Sequence, residues 1–209
     1  MEIISSEITR YLDELLPVRD PILVEMEKLA EERKFPIVGP LVGRLCFQLV
    51  KLTNAASVFE MGSGFGYSAY WMGLALPAAG KIICTEKSSD NIKLARDYFR
   101  RGGLADKVEL LQGNALDIIE EFDRPFDVIL NDINKVDYPK SLDLILPRLR
   151  AGGVLITDNL LWHGRVAQPN PDADTRGVLE YSRMIYSHPQ LLTTLIPLRD
   201  GVGVTLKLA

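Results

Sequence analysis

The fold of this chain follows from one stretch, Val58-Phe-Glu60-Met-Gly62-Ser-Gly64-Phe-Gly66-Tyr-Ser68, which leads from a predicted strand through a glycine turn into a predicted helix. Glycines allow the backbone to turn sharply and to approach a ligand closely. Their spacing is G-x-G-x-G after an acidic residue, whereas the dinucleotide-binding fingerprint is spaced G-x-G-x-x-G. The stretch therefore predicts a ligand-binding strand–turn–helix unit that differs from the dinucleotide type.

A second acidic residue supports a bound cofactor at this turn. Glu86 ends the next predicted strand, 24 positions after Gly62, where a carboxylate can hydrogen-bond a ribose. Glu60, at the end of the first strand, can accept hydrogen bonds from a sugar hydroxyl or an ammonium group. The spacing fits a cofactor that has no pyrophosphate, such as S-adenosylmethionine. A glycine turn selected only for packing is the alternative.

Strands and helices alternate along the rest of the chain. Because short apolar runs alternate with helical periodicity, we predict an α/β fold with a doubly wound, mostly parallel sheet, covered by helices on both faces and ending in an antiparallel hairpin. A single domain, 1–209, is expected, with a helical N-terminal extension at 1–52 and a cofactor-binding core at 53–209. Strands are predicted at 57–61, 81–85, 108–112, 126–130, 153–157, 191–197 and 202–206, core helices at 68–76, 90–101, 115–122, 139–149 and 174–187, and N-terminal helices at 5–16, from 21 and at 41–52.

The composition excludes several classes of function. The 209 residues are 47% hydrophobic and 25% charged, with a formal net charge of −4, which is ordinary for a globular domain. No basic stripe suited to nucleic acid is present, and no segment reads as a signal peptide or a membrane-spanning helix. Cys46 and Cys84 lie in apolar stretches and are expected to be core thiols. We expect a cytoplasmic protein that binds neither nucleic acid nor membranes.

Oxygen-bearing side chains follow two of the predicted strands. Asp132 comes after strand 126–130, and Asp158 and Asn159 come after strand 153–157. If these strands are neighbours, the three side chains converge at one edge of the sheet and form a hard site suited to Mg²⁺, Ca²⁺ or Mn²⁺. The alternative is that the two aspartates merely cap the helices that follow. Lys135 lies three residues after Asp132 and is a candidate base beside a cation, although a solvated lysine is the usual role at such a position.

Three ordered motifs resemble one enzyme family. The glycine stretch, Asn131-Asp132-Ile-Asn-Lys135, and Asp158-Asn159-Leu-Leu-Trp162-His-Gly-Arg-Val-Ala-Gln-Pro169 are similar to the cation-dependent O-methyltransferases. That family includes catechol O-methyltransferase and caffeoyl-CoA O-methyltransferase, and the third motif is closer to the caffeoyl-CoA type and its small bacterial relatives. The resemblance runs from about Phe35 to the C-terminus.

The resemblance implies roles for individual residues. It assigns a divalent cation, magnesium with manganese or calcium as alternatives, to Asp132, Asp158 and Asn159, and the base to Lys135. The cation would hold both oxygens of an aromatic vicinal diol, Lys135 would accept a proton, and the methyl group would pass directly to oxygen. S-adenosylmethionine would contact a larger set of residues, comprising Glu60, Gly62, Gly64, Gly66, Tyr67, Ser68, Glu86, Asn114, Ala115 and Asp132.

Several points stay open at the level of sequence. Asn114 stands where the family often has aspartate, and Asn134 also departs from the family pattern, so neither the acceptor nor its methylated position is specified. Trp162 could line the acceptor pocket or pack beneath its loop, and His163 is expected on the surface or as a helix cap. A homodimer is expected from the resemblance and from apolar residues of the helical extension. Two rival functions are a nicotinamide-dependent oxidoreductase and a non-catalytic protein that binds S-adenosylmethionine. The residues assigned to the dimer contact are Tyr11, Leu12, Phe35 and Leu45.

Overall fold

The computed structural model describes residues 4–209, so the first three residues of the predicted N-terminal extension lie outside it. Seven strands form one sheet in the order β3-β2-β1-β4-β5-β7-β6. Strand β7 is the antiparallel member, inserted between β5 and β6. This arrangement confirms the predicted mostly parallel sheet with a terminal hairpin. The strands are β1 Ser57–Met61, β2 Lys81–Glu86, β3 Val108–Gln112, β4 Phe126–Asn131, β5 Leu149–Thr157, β6 Leu191–Ile196 and β7 Val202–Lys207.

Eight α-helices cover the sheet within residues 4–209. One core lies between the sheet and helices α2 to α5, and the other between the sheet and α6 to α8. Strand side chains alternate between the two cores, as the period of two requires. Each described helix is too short or too polar to cross a lipid bilayer. The helices are α1 Ser6–Glu14, α2 Pro21–Arg33, α3 Gly39–Leu52, α4 Tyr67–Ala75, α5 Ser89–Arg101, α6 Ala115–Glu120, α7 Tyr138–Ile145 and α8 Ala173–Ser187.

Two predicted bounds were wrong, namely the end of helix 139–149 and the start of strand 153–157. Helix α7 ends at Ile145 and a 3-10 turn, Leu146–Arg148, follows it. Pro147 lies in this turn, where its ring and missing N–H interrupt the α-helix. Strand β5 then begins at Leu149, four residues early, because a register irregularity against β4 carries the strand past Gly152 and Gly153.

The chain reverses its direction of winding between β1 and β4. From β1 the sheet grows one way through β2 and β3, and the other way through β4 and β5. In open α/β sheets, ligands bind at this switch point, beyond the carboxyl ends of the strands. Residues that follow Met61, Glu86, Asn131 and Thr157 therefore share one rim of the sheet.

Asp127 ties the opposite rim together. Its Oδ2 accepts hydrogen bonds from the N–H groups of Ala56 and Ser57, both at 2.8 Å, and from Ser57 Oγ at 3.0 Å. Arg150 Nε donates to Oδ1 at 2.5 Å. Burial opposes ionisation of Asp127, but the bonds from Arg150 and from the two backbone groups lower the pKa of the carboxyl overall. The ionised form therefore stabilises the start of β1, β4 and β5.

Replacing Asp127 with Asn should lower the free energy of unfolding by about 2 kcal/mol at pH 7, the scale of hydrogen bonds to a charged group. Because the pKa of Asp127 is lower in the folded state, its contribution is complete above the unfolded pKa of about 4 and is lost as the pH falls through the folded pKa. Urea unfolding at pH 7, 5 and 3.5 measures this gap in unfolding free energy between the wild type and the variant. Asp143→Asn, at an exposed position on α7, is the control. A gap that widens in acid would contradict the assignment.

Candidate functional site

A cavity of about 740 Å³ opens at the carboxyl rim of the sheet. Its walls come from the α2–α3 loop, the glycine turn, and the segments that follow β2, β3, β4 and β5. Five carboxylates and two lysines line it, so its lining is net acidic. The charged lining residues are Glu86, Asp132, Asp137, Asp158, Asp174, Lys87 and Lys135.

The glycine turn forms the floor of the cavity next to β1. Gly62 has φ +85°, and a Cβ there would lie 2.5 Å from the carbonyl oxygen of Asp132, so no side chain fits. Gly66 has φ +89° and packs against Phe99 of α5, where a Cβ would lie 2.6 Å from the ring. Gly62 and Gly64 line the cavity, whereas Gly66 begins α4 beneath it. Of the three glycines of the turn, two thus let the backbone line the cavity closely, and the third lets α4 pack closely against α5.

Glu60, which is predicted to contact the donor, lies fully buried beneath the turn and is not among the residues that line the cavity. Its Oε1 accepts a hydrogen bond from Ser68 Oγ, while Oε2 has no hydrogen-bond partner. Burial raises the pKa of Glu60 to about 6, against the lowering effect of its hydrogen-bond donors. Ser68 does line the cavity, so Glu60 contacts a residue of the cavity wall through this hydrogen bond.

The predicted ribose and adenine contacts lie along one wall. Glu86 Oε1 accepts from the Ser88 N–H at 2.7 Å, which leaves Oε2 available to a ligand. Asn114 caps α6, because its Oδ1 accepts from the Leu116 N–H at 3.3 Å. Asn114 therefore has a capping function of its own, besides lining the cavity. Glu86, Asn114 and Ala115 all line the cavity.

Thr85 was missed by the sequence analysis. It is buried at the end of β2, and its Oγ1 accepts from the Gly62 N–H at 3.2 Å while donating to the Glu60 carbonyl at 3.0 Å. Its carbonyl also accepts from the Ser63 N–H at 2.9 Å. Thr85 thus anchors the glycine turn to the neighbouring strand. A hydroxyl residue inside an apolar strand, one position before Glu86, was the signal available in the sequence.

The oxygen-bearing side chains meet as predicted. Strands β4 and β5 are parallel neighbours with Asn131 opposite Thr157, so the residues after each strand lie side by side. Asp132, Asp158 and Asn159 all line the cavity. Asp158 is buried, and burial together with the negative charge of Asp132 raises the pKa of its carboxyl to about 7.

This set of donors fits a hard divalent cation. A buried carboxylate beside a second carboxylate is stabilised by a cation, and carboxylate and amide oxygens are the ligands that Mg²⁺ and Ca²⁺ use. Residues 4–209 contain no group of three or more His, Cys, Asp or Glu side chains placed to hold a metal. The fit therefore depends on two carboxylates with the amide of Asn159, rather than on a fully acidic or sulfur-containing cluster.

Lys135 is buried beside this set, in the 3-10 helix Lys135–Asp137. Its Nζ donates to Asp132 Oδ1 at 2.7 Å, to the Ile133 carbonyl at 3.1 Å and to Tyr138 Oη at 2.9 Å. Three donated hydrogen bonds use all the protons of an ammonium group. Lys135 is thus the charge partner of Asp132 in this arrangement.

Trp162 and His163 both line the cavity. Trp162 is half-buried, with its ring centroid 5.7 Å from Lys135 Nζ, and it both lines the cavity and packs against the core, as each of its two open roles predicted. His163 is exposed, as predicted, at the mouth. Phe35 forms the facing wall from the α2–α3 loop and packs on Phe65 with ring centroids 5.1 Å apart. The site thus combines aromatic side chains with an acidic lining.

The sheet order and the cavity beyond its carboxyl rim define the class of this protein as a Rossmann-like, class I methyltransferase. An O-methyltransferase family model matches residues 12–208, and the chain belongs to that family. It is 31% identical over 173 residues to caffeoyl-CoA O-methyltransferase 1 of Eucalyptus globulus, covering 77% of this chain and 70% of that protein.

Two further comparisons span nearly the whole chain. A catechol O-methyltransferase of Niastella koreensis is 28% identical over 208 residues, with 96% of this chain and 93% of that protein covered. An O-methyltransferase from Streptomyces achromogenes, solved in complex with S-adenosylmethionine, has a TM-score of 0.89 at 29% identity and covers 97% of this chain and 96% of its own. The family resemblance predicted from three motifs is confirmed.

Proposed function

We propose that this enzyme transfers a methyl group from S-adenosylmethionine to one oxygen of an aromatic vicinal diol that is held by a divalent cation. The observation that carries the proposal is the meeting of Asp132, Asp158 and Asn159 in the same cavity as the glycine turn. A donor site and a hard-cation site in one cavity bring a methyl group and a metal-held oxygen within reach of each other. Orientation of this kind supplies much of the acceleration of a two-substrate reaction.

The donor would occupy the wall formed by the glycine turn, Glu86 and Asn114. The free oxygen of Glu86 can accept from a ribose hydroxyl, and Ser68, held by Glu60, presents its hydroxyl to the same wall. The donor carries a positive sulfonium, which the acidic lining of the cavity stabilises. A solved relative with bound S-adenosylmethionine supports the same ligand here.

The cation would be held by the carboxylates of Asp132 and Asp158 and the amide oxygen of Asn159. When bound, it supplies Lewis-acid chemistry that lowers the pKa of a coordinated hydroxyl. The catechol and caffeoyl-CoA O-methyltransferases among the relatives support an ortho-dihydroxylated acceptor. Trp162 and Phe35 offer flat apolar surfaces that suit its ring.

Lys135 is the proposed base. Proton transfer from an acceptor hydroxyl to Nζ requires an amine that has first released one proton, so one of its three hydrogen bonds must give way. Asp132 is one of its partners and also a proposed ligand of the cation. The same carboxylate therefore links the state of Lys135 to the metal site.

The alternatives differ in what they leave unexplained. The nicotinamide-dependent oxidoreductase does not agree with the O-methyltransferase family match or with the glycine spacing. A protein that binds the donor without transferring methyl groups would have no need for a cation site beside it. Methyl transfer itself therefore separates the remaining alternative from the proposal.

Replacing Asp158 with Ala should lower methyl transfer at least about a hundredfold, because Lewis-acid stabilisation is worth several kcal/mol. Donor affinity, measured by isothermal titration calorimetry with S-adenosylhomocysteine, should stay near that of the wild type. Chelator should silence the wild-type enzyme, with Mg²⁺ or Mn²⁺ restoring it better than Zn²⁺. Asp137→Asn, in the same cavity, is the matched control. Full transfer to a catechol in excess chelator would refute the proposed role of the cation.

Replacing Lys135 with Met should lower turnover by about 100- to 10,000-fold, the range of general base catalysis, with metal binding retained. Part of the loss should return at high pH, where the acceptor ionises unaided. Lys135→Arg keeps the charge but cannot act as a base, so it should be as slow as the Met variant. Lys87→Ala in the same cavity serves as the control. An active Arg variant would show that the charge alone matters.

We also propose a homodimer formed through α1. This helix has no buried residue, and Ile8, Tyr11 and Leu15 are 51%, 57% and 62% exposed. Of the four residues predicted for the contact, Tyr11 is exposed, but Phe35 and Leu45 pack largely against the protein's own core. An apolar stripe of this kind is suited to a twofold contact with a second copy.

Leu15→Glu should convert the dimer to a monomer at tens of micromolar, because a charge would be placed in an apolar contact. Sedimentation velocity measures the mass. Leu192→Glu is the control, since Leu192 is 60% exposed on β6 at the far edge of the sheet. A wild-type monomer at this concentration, or an unchanged dimer in the Leu15 variant, would rule out this contact.

A further inference from the structure

The Asp200 side chain contacts the segment that carries one proposed metal ligand. We propose that Asp200 is a positioning residue for the cation site, which fixes the side chain of Asn159 so that its oxygen is available to the metal. The inference rests on the proposed function and deepens it. Asp200 lies in the turn between β6 and β7, distant in sequence from Asn159.

The two carboxylate oxygens of Asp200 have separate partners. Oδ2 accepts from Asn159 Nδ2 at 3.2 Å, and Oδ1 accepts from the His163 N–H at 2.5 Å. A carboxylate is an acceptor only, so the amide group that faces it must be the NH₂. The Asn159 oxygen is then the end of the amide that Asp200 does not engage. An amide whose NH₂ is committed in this way presents its oxygen to a different partner.

The backbone of the same turn holds the rest of the segment. The Leu161 N–H donates to the Asp200 carbonyl at 2.8 Å, and the Leu160 N–H donates to the Gly201 carbonyl at 2.9 Å. Asn159 has φ +60°, a left-handed conformation that Asn adopts more readily than most non-glycine residues. Backbone contacts therefore suffice to place the segment. The hydrogen bond from Asn159 Nδ2 to the Asp200 side chain additionally orients the amide group of Asn159.

The Asp200 side chain is largely shielded from solvent. Only 13% of the Asp200 side chain is exposed, so water competes weakly for its oxygens. The His163 ring lies 3.6 Å from Oδ2, but it is 66% exposed, so this contact adds little. Asn159 is thus the partner whose function depends on Asp200. Outer contacts that orient metal ligands typically change metal affinity about 10- to 100-fold when removed.

The chemical consequence of Asp200→Asn follows from the donor count. An amide has one oxygen and one NH₂, so it cannot accept from both Asn159 and His163 as two carboxylate oxygens do. If the new amide oxygen accepts from the His163 N–H, the new NH₂ group faces the NH₂ group of Asn159. Two NH₂ donors cannot form a hydrogen bond with each other. Asn159 must then rotate or shift, and its oxygen leaves the orientation proposed for the metal.

The test is Mn²⁺ titration of the full chain by isothermal titration calorimetry, with S-adenosylhomocysteine binding and thermal unfolding measured on the same samples. Asp200→Asn should weaken Mn²⁺ binding about 10- to 100-fold, with little change in donor affinity. Asp137→Asn removes one negative charge from the cavity lining without altering the partner of Asn159, so it measures the effect on Mn²⁺ binding of losing a nearby charge alone. Asp200→Ser, whose shorter side chain removes the acceptor that faces Asn159 Nδ2, should resemble Asp200→Asn and replaces it if that variant is unstable.

The outcomes are distinguishable. A wild-type protein that binds no Mn²⁺ would contradict the proposed function itself. Wild-type binding with an Asp200 variant no weaker than Asp137→Asn would overturn the role of Asp200 alone. Equal losses of Mn²⁺ affinity, donor affinity and thermal stability would also overturn it, because they indicate a general support of the fold. A selective loss of Mn²⁺ affinity in both Asp200 variants is the expected result.

Discussion

Two backbone hydrogen bonds beyond the ends of the central strands determine where the chemistry can occur. The Asp132 N–H donates to the Met61 carbonyl at 3.0 Å, and the Asp158 N–H donates to the Asn131 carbonyl at 3.3 Å. They extend the parallel pairing of β1 with β4 and of β4 with β5 by one step each. Side chains that leave the sheet at that step are therefore neighbours, although they are far apart in sequence. Gly62 follows from the same constraint, because it faces the carbonyl of Asp132.

A buried polar network supports this edge from below. Tyr138 Oη accepts from Lys135 and donates to the Asp158 carbonyl at 2.9 Å, while Thr157 and Tyr181 share a hydrogen bond at 2.9 Å. Burial raises the pKa of Tyr138 well above its ordinary value, so the phenol stays protonated and keeps its donor. A satisfied network of this kind favours one arrangement of the chain. The position of Lys135 thus depends on α7 as well as on its own turn.

Only part of the site is encoded in local sequence patterns. Asp132, Asp158 and Asn159 were located because each follows an apolar strand, and the sheet order then placed them together. Asp200 and Thr85 were missed, because their importance lies in contacts with residues that are distant in sequence. The contact of Glu60 with the ligand stays a prediction, and the structure adds its burial beside Ser68, which depends on tertiary packing that no local pattern reports.

The same distinction explains the errors in the fold. Strand β5 was predicted to begin at Gly153, but its pairing with β4 extends back through Gly152 and Gly153 to Leu149. Pairing partners outweigh local preference in sheets. The glycine turn after β1 was predicted correctly, since its glycines already mark it in the sequence, although Thr85 and Asp132 also hold it in place.

The net charge of the cavity has a consequence for the proposed reaction cycle. Five carboxylates and two lysines line it, so the cavity attracts cations. Methyl transfer converts the positive sulfonium of the proposed donor into a neutral thioether, and the product loses that attraction. The acidic lining therefore favours the donor over the product at the same wall, because the rest of the two molecules is identical. Because the cation that Asp132 and Asp158 are proposed to hold offsets their own charge, the preference for the donor would depend on the other carboxylates of the lining, Glu86, Asp137 and Asp174.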